Sequence, residues 1–215
     1  MNNESRDTLH ASRVTNDANT FAHIRRMRDS RFPHEIAAIL PGEFFVSPTP
    51  MIVYTVLGSC ISACIRDPIT GVGGMNHFML PKPKDGGNDS WGESTRYGSY
   101  AMESLINEIL KLGGIKSRLE VKLFGAGKIY EGNIDVGARN AEWVLSFLKT
   151  EGLTAVKTDL GDVCPRKVYY FTDSGRVLLK KIERLKNRTI LERENEYATK
   201  IQTVEKPVEE DVTLF

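Results

Sequence analysis

The stretch that decides the fold is Leu57-Gly58-Ser59-Cys60-Ile61-Ser62-Ala63-Cys64-Ile65, followed by Asp67-Pro68-Ile69-Thr70-Gly71 and Gly73-Gly74-Met75-Asn76-His77. Its first part alternates as a half-buried strand does, and the next part is turn chemistry, because proline presets φ and aspartate and glycine suit the flanks. A β-hairpin is therefore predicted, with its turn bracketed by Asp67 and Thr70. This pairing places Cys60 opposite His77 to within about one residue of register, where Cβ atoms are roughly 5 Å apart.

The hairpin unites the two residues of a candidate nucleophilic site. A cysteine thiolate is a strong nucleophile, and a neighbouring imidazole can take the thiol proton. Of the four histidines, only His77 lies in the predicted core, because the others precede it in or beside the N-terminal extension. A nucleophilic Cys60 is the leading hypothesis, and the alternative is that both residues are structural.

Glycines flank both members of this pair. Gly58 precedes Cys60, and Gly73-Gly74 opens the strand that carries His77. Because glycine weakens a strand, it indicates a bulge or a ligand that approaches the backbone closely. The backbone N–H groups of Ser59 and Cys60 could then stabilise an oxyanion, or the glycines could only shape the hairpin.

No metal site and no cofactor are expected. Cys64 lies about 13 Å along the strand from Cys60, which is too far for a shared zinc ion. The segment Gly125-Ala126-Gly127-Lys128 follows a predicted strand, but it lacks the full spacing of a phosphate loop and the hydroxyl residue after the lysine.

The composition indicates a globular protein, with 40% hydrophobic residues, 27% charged residues and a formal net charge of +1. This balance gives no indication of binding to nucleic acid or to an anionic membrane. No apolar run reaches the roughly 20 residues that span a bilayer, and the polar N-terminus lacks the apolar core of a secretory signal. Three cysteines, an odd number, do not indicate a disulfide framework. We therefore expect a cytoplasmic protein without membrane insertion, where a thiol stays reduced.

Shifts in composition divide the chain into three parts. Residues 1–35 are predicted to form a polar N-terminal extension, with a short amphipathic helix over 21–32 that either docks on the domain or binds a partner. Residues 36–188 are predicted to form the catalytic domain. Residues 189–215 are predicted to be an acidic, flexible tail.

Periodicity predicts two core helices, over 94–112 and 134–148, and about seven strands, several of them in consecutive hairpins. A polar, glycine-bearing loop over 82–94 is predicted to form a mobile rim of an open groove at the site. The pattern indicates an α+β sandwich rather than a doubly wound parallel sheet.

Several ordered motifs within residues 36–185 resemble those of a known family, the bacterial chemoreceptor glutamine deamidases of the CheD family. The motifs are Leu57-Gly58-Ser59-Cys60, Asp67-Pro68, Gly73-Gly74-Met75-Asn76-His77-Phe78-Met79-Leu80-Pro81, Leu123-Phe124-Gly125, Gly137-Ala138-Arg139-Asn140, Asp159-Leu160-Gly161 and Arg166-Lys167-Val168. The resemblance implies a β-rich sandwich with two main helices packed on one side, in α/β/β layers akin to those of deamidating toxin domains.

The same resemblance implies the activity and the partners. It implies a protein-glutamine glutaminase that hydrolyses glutamine side-chain amides of methyl-accepting chemotaxis receptors, on their cytoplasmic helices, to glutamate and ammonia. Cys60 is the implied nucleophile, His77 the implied base, and Thr55 the candidate for the threonine that is the family's third member. Some relatives have this threonine one position earlier, where this chain has Tyr54, and a bulge at Gly58 would compensate for the offset. A phosphatase of the response regulator is a further implied partner.

Two other interpretations remain open at this point. The chain could be a non-catalytic chemotaxis adaptor that binds receptors or a response-regulator phosphatase and releases no ammonia. It could also be a cysteine protease or a transglutaminase, because both use Cys–His chemistry on a different acyl group. Deamidation, peptide cleavage and cross-linking give different masses, so mass spectrometry of a treated receptor separates them.

Overall fold

The computed structural model describes residues 20–81, 92–129, 135–182 and 189–203, with the backbone alone for 92–94. The described strands form two five-stranded sheets. The first contains, in spatial order, β1 (Arg25–Met27), β2 (Ile36–Ala38), β4 (Ile52–Leu57), β9 (Arg166–Phe171) and β10 (Val177–Lys181). The second contains β3 (Phe44–Ser47), β6 (Gly73–Asn76), β5 (Ile61–Arg66), β7 (Glu120–Gly125) and β8 (Ala155–Leu160). The described helices are α1 (Gly92–Lys111), α2 (Val136–Thr150) and α3 (Thr189–Thr203), with a short 3-10 helix at Lys116–Arg118.

The elements stack as helix layer, sheet and sheet. One face of the second sheet packs against α1 and α2, through a cluster that includes Ile61, Leu105 and Trp143. Its other face packs against the first sheet, through a cluster that includes Cys64 and Val168. Each fully buried aliphatic side chain in these clusters contributes roughly 1.5–3 kcal/mol. The predicted α+β sandwich with two main helices on one side is confirmed.

Both predicted core helices are present, within two residues of their expected ends. The hairpin of β9 and β10 is present as well, with Val177 opposite Tyr170. The strand β5 was expected to be half-buried, but it is buried on both faces because it lies inside the second sheet with α1 and α2 on one side and the first sheet on the other. In the described part of the chain, no helix combines the length and the apolarity needed to cross a membrane.

The Cys/His hairpin exists, but its register is shifted from the prediction. Cys64 pairs with Met75 and Ile61 with Phe78, so the same register places His77 opposite Ser62 and not opposite Cys60. The reason is a turn two residues longer than expected, closed by a hydrogen bond from the N–H of Asp67 to the carbonyl of Val72. A shift of two residues keeps the same face, so Cys60 and His77 still point into the space between the sheets.

The N-terminal segment is a strand rather than the predicted amphipathic helix. Residues 25–27 form β1, which pairs antiparallel with β2. Phe21 and Ile24 pack inward, and the Phe21 ring contacts the rings of Phe44 and Phe45. Helical spacing within the twelve residues 21–32 could not decide the matter, because so short a helix is unstable unless tertiary packing selects it.

The segment after residue 188 is the second departure from the expected secondary structure. Residues 189–203 form α3 instead of a flexible tail, and Glu194, Tyr197 and Ala198 on this helix are buried. Its buried positions recur three and four residues apart and form one face of the helix, while charged residues occupy the other faces. The acidic composition alone did not indicate this buried face. The rest of the predicted tail, residues 204–215, lies outside the described residues, and the boundaries of the three predicted parts stay a prediction.

Candidate active site

The segment Gly58–Cys60 links β4 to β5 and has all three of its carbonyl groups bound from one side. The carbonyl of Gly58 accepts from the N–H of Gly127 at 2.8 Å, and that of Cys60 accepts from the N–H of Ala126 at 2.8 Å. The carbonyl of Ser59 accepts from the Nδ2 of Asn140 at 2.9 Å. With the carbonyls held in this way, the three backbone N–H groups are directed to the other side, at one common point.

The loop after β7 supplies this support through an unusual backbone. Gly125 has a φ of +118° and Ala126 a φ of +59°. A Cβ atom on Gly125 would lie 2.1 Å from the carbonyl oxygen of Cys60, so only glycine fits there. The buried Arg166 holds the neighbouring segment 159–164, since its guanidinium donates to Asp159 and to the carbonyl of Cys164. Backbone hydrogen bonds from Gly161 to Gly125 and from Lys128 to Asp162 join that segment to the loop.

Asn140 is a positioning residue that the sequence pattern did not resolve. It belongs to the motif Gly137-Ala138-Arg139-Asn140 and is fully buried on α2. Besides its donation to Ser59, its Oδ1 accepts from the N–H of Leu80 at 3.0 Å. One amide side chain therefore connects the Cys60 segment to the strand end beyond His77. Its neighbour Arg139 is half-buried.

Cys60 and His77 meet in the structure, together with a third residue, Glu194 of α3. The Sγ of Cys60, a ring nitrogen of His77 and a carboxylate oxygen of Glu194 all lie within 4.8 Å of one another. Burial raises the pKa of the Cys60 thiol well above its usual range, and the nearby Glu194 carboxylate raises it further. Burial lowers the pKa of His77 to about 3. In this closed arrangement the thiol is protonated and the imidazole is neutral.

Thr55 fixes the tautomer of His77. The hydroxyl of Thr55 lies 2.8 Å from the Nδ1 of His77 and donates to the carbonyl of Ile39 at 2.8 Å. Because the hydroxyl has a single proton, the Nδ1 atom must be the donor to Thr55. The Nε2 atom is then unprotonated, and among the described residues it has no hydrogen-bond partner. It is the nitrogen available to take the thiol proton.

The offset of Thr55 from the position of the family threonine needs no bulge at Gly58. Thr55 and Leu57 are buried inward-facing residues of β4, whereas Tyr54 and Val56 alternate outward and are half-buried. Cys60 does not lie on that strand, because the chain turns at Gly58–Ser59 before β5 begins. Strand alternation therefore does not relate the face of Thr55 to that of Cys60.

Glu194 occupies the point at which the backbone N–H groups converge. Its Oε1 accepts from the N–H of Gly58 at 2.8 Å and, at 3.4 Å, from that of Cys60. Its Oε2 accepts from the N–H of Ser59 at 3.0 Å and from the Ser59 hydroxyl at 2.7 Å. A Cβ atom on Gly58 would lie 2.2 Å from the Ile129 side chain and 2.7 Å from Oε1, so a residue larger than glycine would displace both side chains. Of these N–H groups, those of Ser59 and Cys60 were predicted from the sequence as donors, whereas the N–H of Gly58 and the presence of Glu194 were not.

This convergence is an anion site. Consecutive N–H groups that point to one spot bind negative charge, as in other backbone nests. A thiol, an imidazole and a carboxylate are also ligand types that zinc accepts. However, the Glu194 oxygens already accept four hydrogen bonds, so their lone pairs are directed to donors and not to a shared cation. The expectation that no metal and no cofactor is needed stays a prediction.

The remaining predicted features lie away from the site or outside the described residues. Cys64 is a buried residue of the core between the sheets, and Cys164 is half-buried; all three cysteines are free. The predicted rim over 82–94 falls on residues that the structure does not describe, except for the backbone of 92–94. The groove expected to be open is covered by α3, and Cys60 and His77 are 0% and 2% exposed.

Comparison with known proteins gives the same family that the motifs indicate. The family model described as CheD chemotactic sensory transduction matches residues 79–181. The chain is 53% identical to the probable chemoreceptor glutamine deamidase CheD 1 of Dechloromonas aromatica, over 88% of this chain and 94% of that protein. It is 52% identical to the probable chemoreceptor glutamine deamidase CheD of Janthinobacterium sp., over 87% and 92%. It is 49% identical to the corresponding protein of Halorhodospira halophila, over 91% of both chains. Given these identities over nearly the full length of both partners, the chain belongs to the CheD family.

Proposed function

We propose that this protein is a chemoreceptor glutamine deamidase that hydrolyses glutamine side-chain amides of chemotaxis receptors to glutamate and ammonia. The observation that carries the proposal is the placement of a cysteine, a histidine with a free Nε2 and three converging backbone N–H groups at one point. This set provides a nucleophile, a base and a site for an oxyanion, which are the groups that acyl transfer needs. The curated relatives bear the same activity in their names.

The reaction begins with Cys60. The Nε2 atom of His77 takes the thiol proton, and the sulfur bonds to the carbonyl carbon of the substrate carboxamide. The negative charge on the amide oxygen is then held by the N–H groups of Ser59 and Cys60, joined by that of Gly58. The imidazolium gives its proton to the amide nitrogen, the carbon–nitrogen bond breaks, and ammonia leaves a thioester on Cys60.

Water completes the cycle. The neutral His77 takes a proton from a water molecule that attacks the thioester carbon, and the same N–H groups hold the second oxyanion. Collapse of this intermediate returns the thiolate, which is reprotonated, and releases a glutamate side chain. Thr55 acts as a positioning residue, because it keeps the proton of the imidazole on Nδ1 throughout.

The test uses cytoplasmic fragments of a chemoreceptor incubated with the full chain. The mass of the receptor fragment should increase, for each modified glutamine, by the difference between a carboxylic acid and a carboxamide. One molecule of ammonia should be released for each modified glutamine. Cys60→Ser should abolish both signals, whereas the matched variant Cys164→Ser should retain them. Cleaved or cross-linked fragments would instead indicate a protease or a transglutaminase, and an unchanged Cys60→Ser variant would contradict the mechanism.

A non-catalytic adaptor is the second candidate, and one observation favours it. The site is covered in this structure, so a chain whose cover never opened would bind partners without reacting. Such a protein would release no ammonia under any condition. Binding to a response-regulator phosphatase also stays a proposal, supported only by the family resemblance, and a cosedimentation assay of the two purified proteins tests it.

We place the reaction in the cytoplasm. A thiol nucleophile works only while it is reduced, and all three cysteines of the chain are free. The receptor segments that the proposal names as substrates are the cytoplasmic ones. Fractionation of cells that express the tagged full chain tests this placement.

A further inference from the structure

The helix α3 covers the site as a bound ligand would. It inserts one side chain, Glu194, and presses the next turn against the surface around it. Tyr197 packs its ring against Gly42, and its hydroxyl contacts the hydroxyl of Tyr97 on α1. Ala198 is buried in the same cluster as Cys60. The surface between α1 and the Gly58–Cys60 segment therefore receives one inserted side chain of a helix and one face of its next turn.

The inserted side chain has the chemistry of the proposed product. Hydrolysis of a glutamine amide yields a glutamate side chain, and Glu194 is a glutamate whose carboxylate sits on the proposed oxyanion site. Both of its oxygens accept N–H groups of the Gly58–Cys60 segment. A carboxylate that accepts from this nest beside the Cys60 sulfur lies where the newly formed acid must lie after thioester hydrolysis.

We propose that α3 is an intramolecular product analogue, which occupies the substrate groove and holds the enzyme closed. The proposal rests on the deamidase function proposed above. It also defines how a substrate binds: as an α-helix, with its glutamine in the place of Glu194. The substrate positions three, four and seven residues further along then take the places of Tyr197, Ala198 and Ile201, and face the enzyme.

The state of the site agrees with a closed enzyme. Burial under α3, together with the nearby Glu194 carboxylate, raises the pKa of the Cys60 thiol, and burial lowers the pKa of His77. Because α3 is part of the same chain, it competes with a receptor at a high effective concentration. The activity toward a receptor is therefore reduced by the fraction of molecules that are closed.

The decisive experiment converts the inhibitor into a substrate. In Glu194→Gln, the amide introduced at position 194 lies beside Cys60, so the enzyme should hydrolyse it with water, release ammonia and regenerate the original carboxylate. Mass spectrometry of the peptide that contains position 194, taken from the purified full chain, should show the acid. Glu194→Gln combined with Cys60→Ser should retain the amide. Glu196→Gln, on an exposed face of the same helix, is the matched control and should also retain its amide.

A second measurement tests the closure itself. Glu194→Ala removes four hydrogen bonds from the closed state, and the loss of even one charge-assisted hydrogen bond shifts an equilibrium about tenfold. The kcat/KM for receptor fragments should therefore rise at least about tenfold, whereas Glu196→Ala should leave it unchanged. A fall in kcat/KM for Glu194→Ala would show that Glu194 assists the reaction, and would overturn the proposal.

The outcomes separate this inference from the proposed function. If the amide at position 194 persists while the same preparation deamidates receptor fragments, α3 does not occupy the substrate position and only the inference fails. If the preparation, shown to be folded by its thermal transition, acts on neither the amide at 194 nor the receptor, the proposed function fails as well.

Discussion

Replacing Thr55 with valine tests whether the tautomer of His77 controls the reaction. Valine keeps the shape of threonine but removes the hydroxyl that accepts from the Nδ1 of His77 and donates to the carbonyl of Ile39. A buried donor left without its acceptor costs about 1–3 kcal/mol. That cost falls on the Nδ1-protonated tautomer, which is the one with Nε2 free to act as base.

The expected loss of activity follows from that energy. At about 1.4 kcal/mol per tenfold, the population of the productive tautomer falls about 5- to 150-fold, and kcat for ammonia release from receptor fragments should fall by the same factor. The free energy of unfolding, from urea titration, should fall by about 1–3 kcal/mol. Thr55→Ser keeps the hydroxyl and is the matched control, with kcat close to that of the wild type. A Thr55→Val enzyme with the kcat of the wild type would refute the tautomer argument.

Three further predictions concern the residues around this pair. The pKa of His77 is about 3 in the folded protein and near 6.5 in the unfolded chain, so between these pH values the unfolded chain binds more protons. The free energy of unfolding should therefore fall by up to about 1.4 kcal/mol per pH unit as the pH drops from 6.5 toward 3. Urea midpoints measured at several pH values should show a shallower pH dependence in His77→Gln. Gly125→Ala should lower the free energy of unfolding by more than about 1–2 kcal/mol and reduce kcat, because alanine is strained at this positive φ and its Cβ would collide with the carbonyl of Cys60. An alanine variant with normal stability and kcat would contradict the role of this loop in supporting the Gly58–Cys60 segment. Asn140→Asp removes the donor to Ser59 and should reduce kcat about tenfold with KM little changed, as measured by steady-state kinetics; a change in KM alone would argue against a positioning role.

Much of the fold could be predicted because its signals are local. The two core helices and the β9–β10 hairpin each have periodicity and turn residues that specify them without reference to the rest of the chain. The Cys60–His77 pair was predictable for the same reason. Its register was wrong by two residues, because the Asp67 side chain accepts from two backbone N–H groups in the turn and stabilises a longer loop than the Asp-Pro pattern suggests.

The parts that failed depend on contacts between distant segments. Glu194 lies 134 residues after Cys60, in a segment whose acidic composition indicates a tail, and among the described residues its carboxylate accepts hydrogen bonds from Gly58, Ser59 and Cys60. Asn140 likewise acquires a role only when α2 packs beside the Ser59 carbonyl. Asn140 lies in one of the family motifs, but the motif does not show which group its amide would hold, and Glu194 has no signal within its own stretch of sequence.

The proposed oxyanion site is made of peptide groups, and this has a consequence for natural variation in the family. No substitution can delete a main-chain N–H except one to proline, so the donors themselves are almost immune to point mutation. Mutation can change the residues that support them: Gly125 at the end of β7, which lets two backbone segments approach closely, and the side-chain amide of Asn140 on α2. A relative that keeps its cysteine, histidine and threonine but has a bulky residue in place of that glycine should therefore be inactive. Its reactive side chains would all be present, but its backbone N–H groups would no longer converge to stabilise the oxyanion.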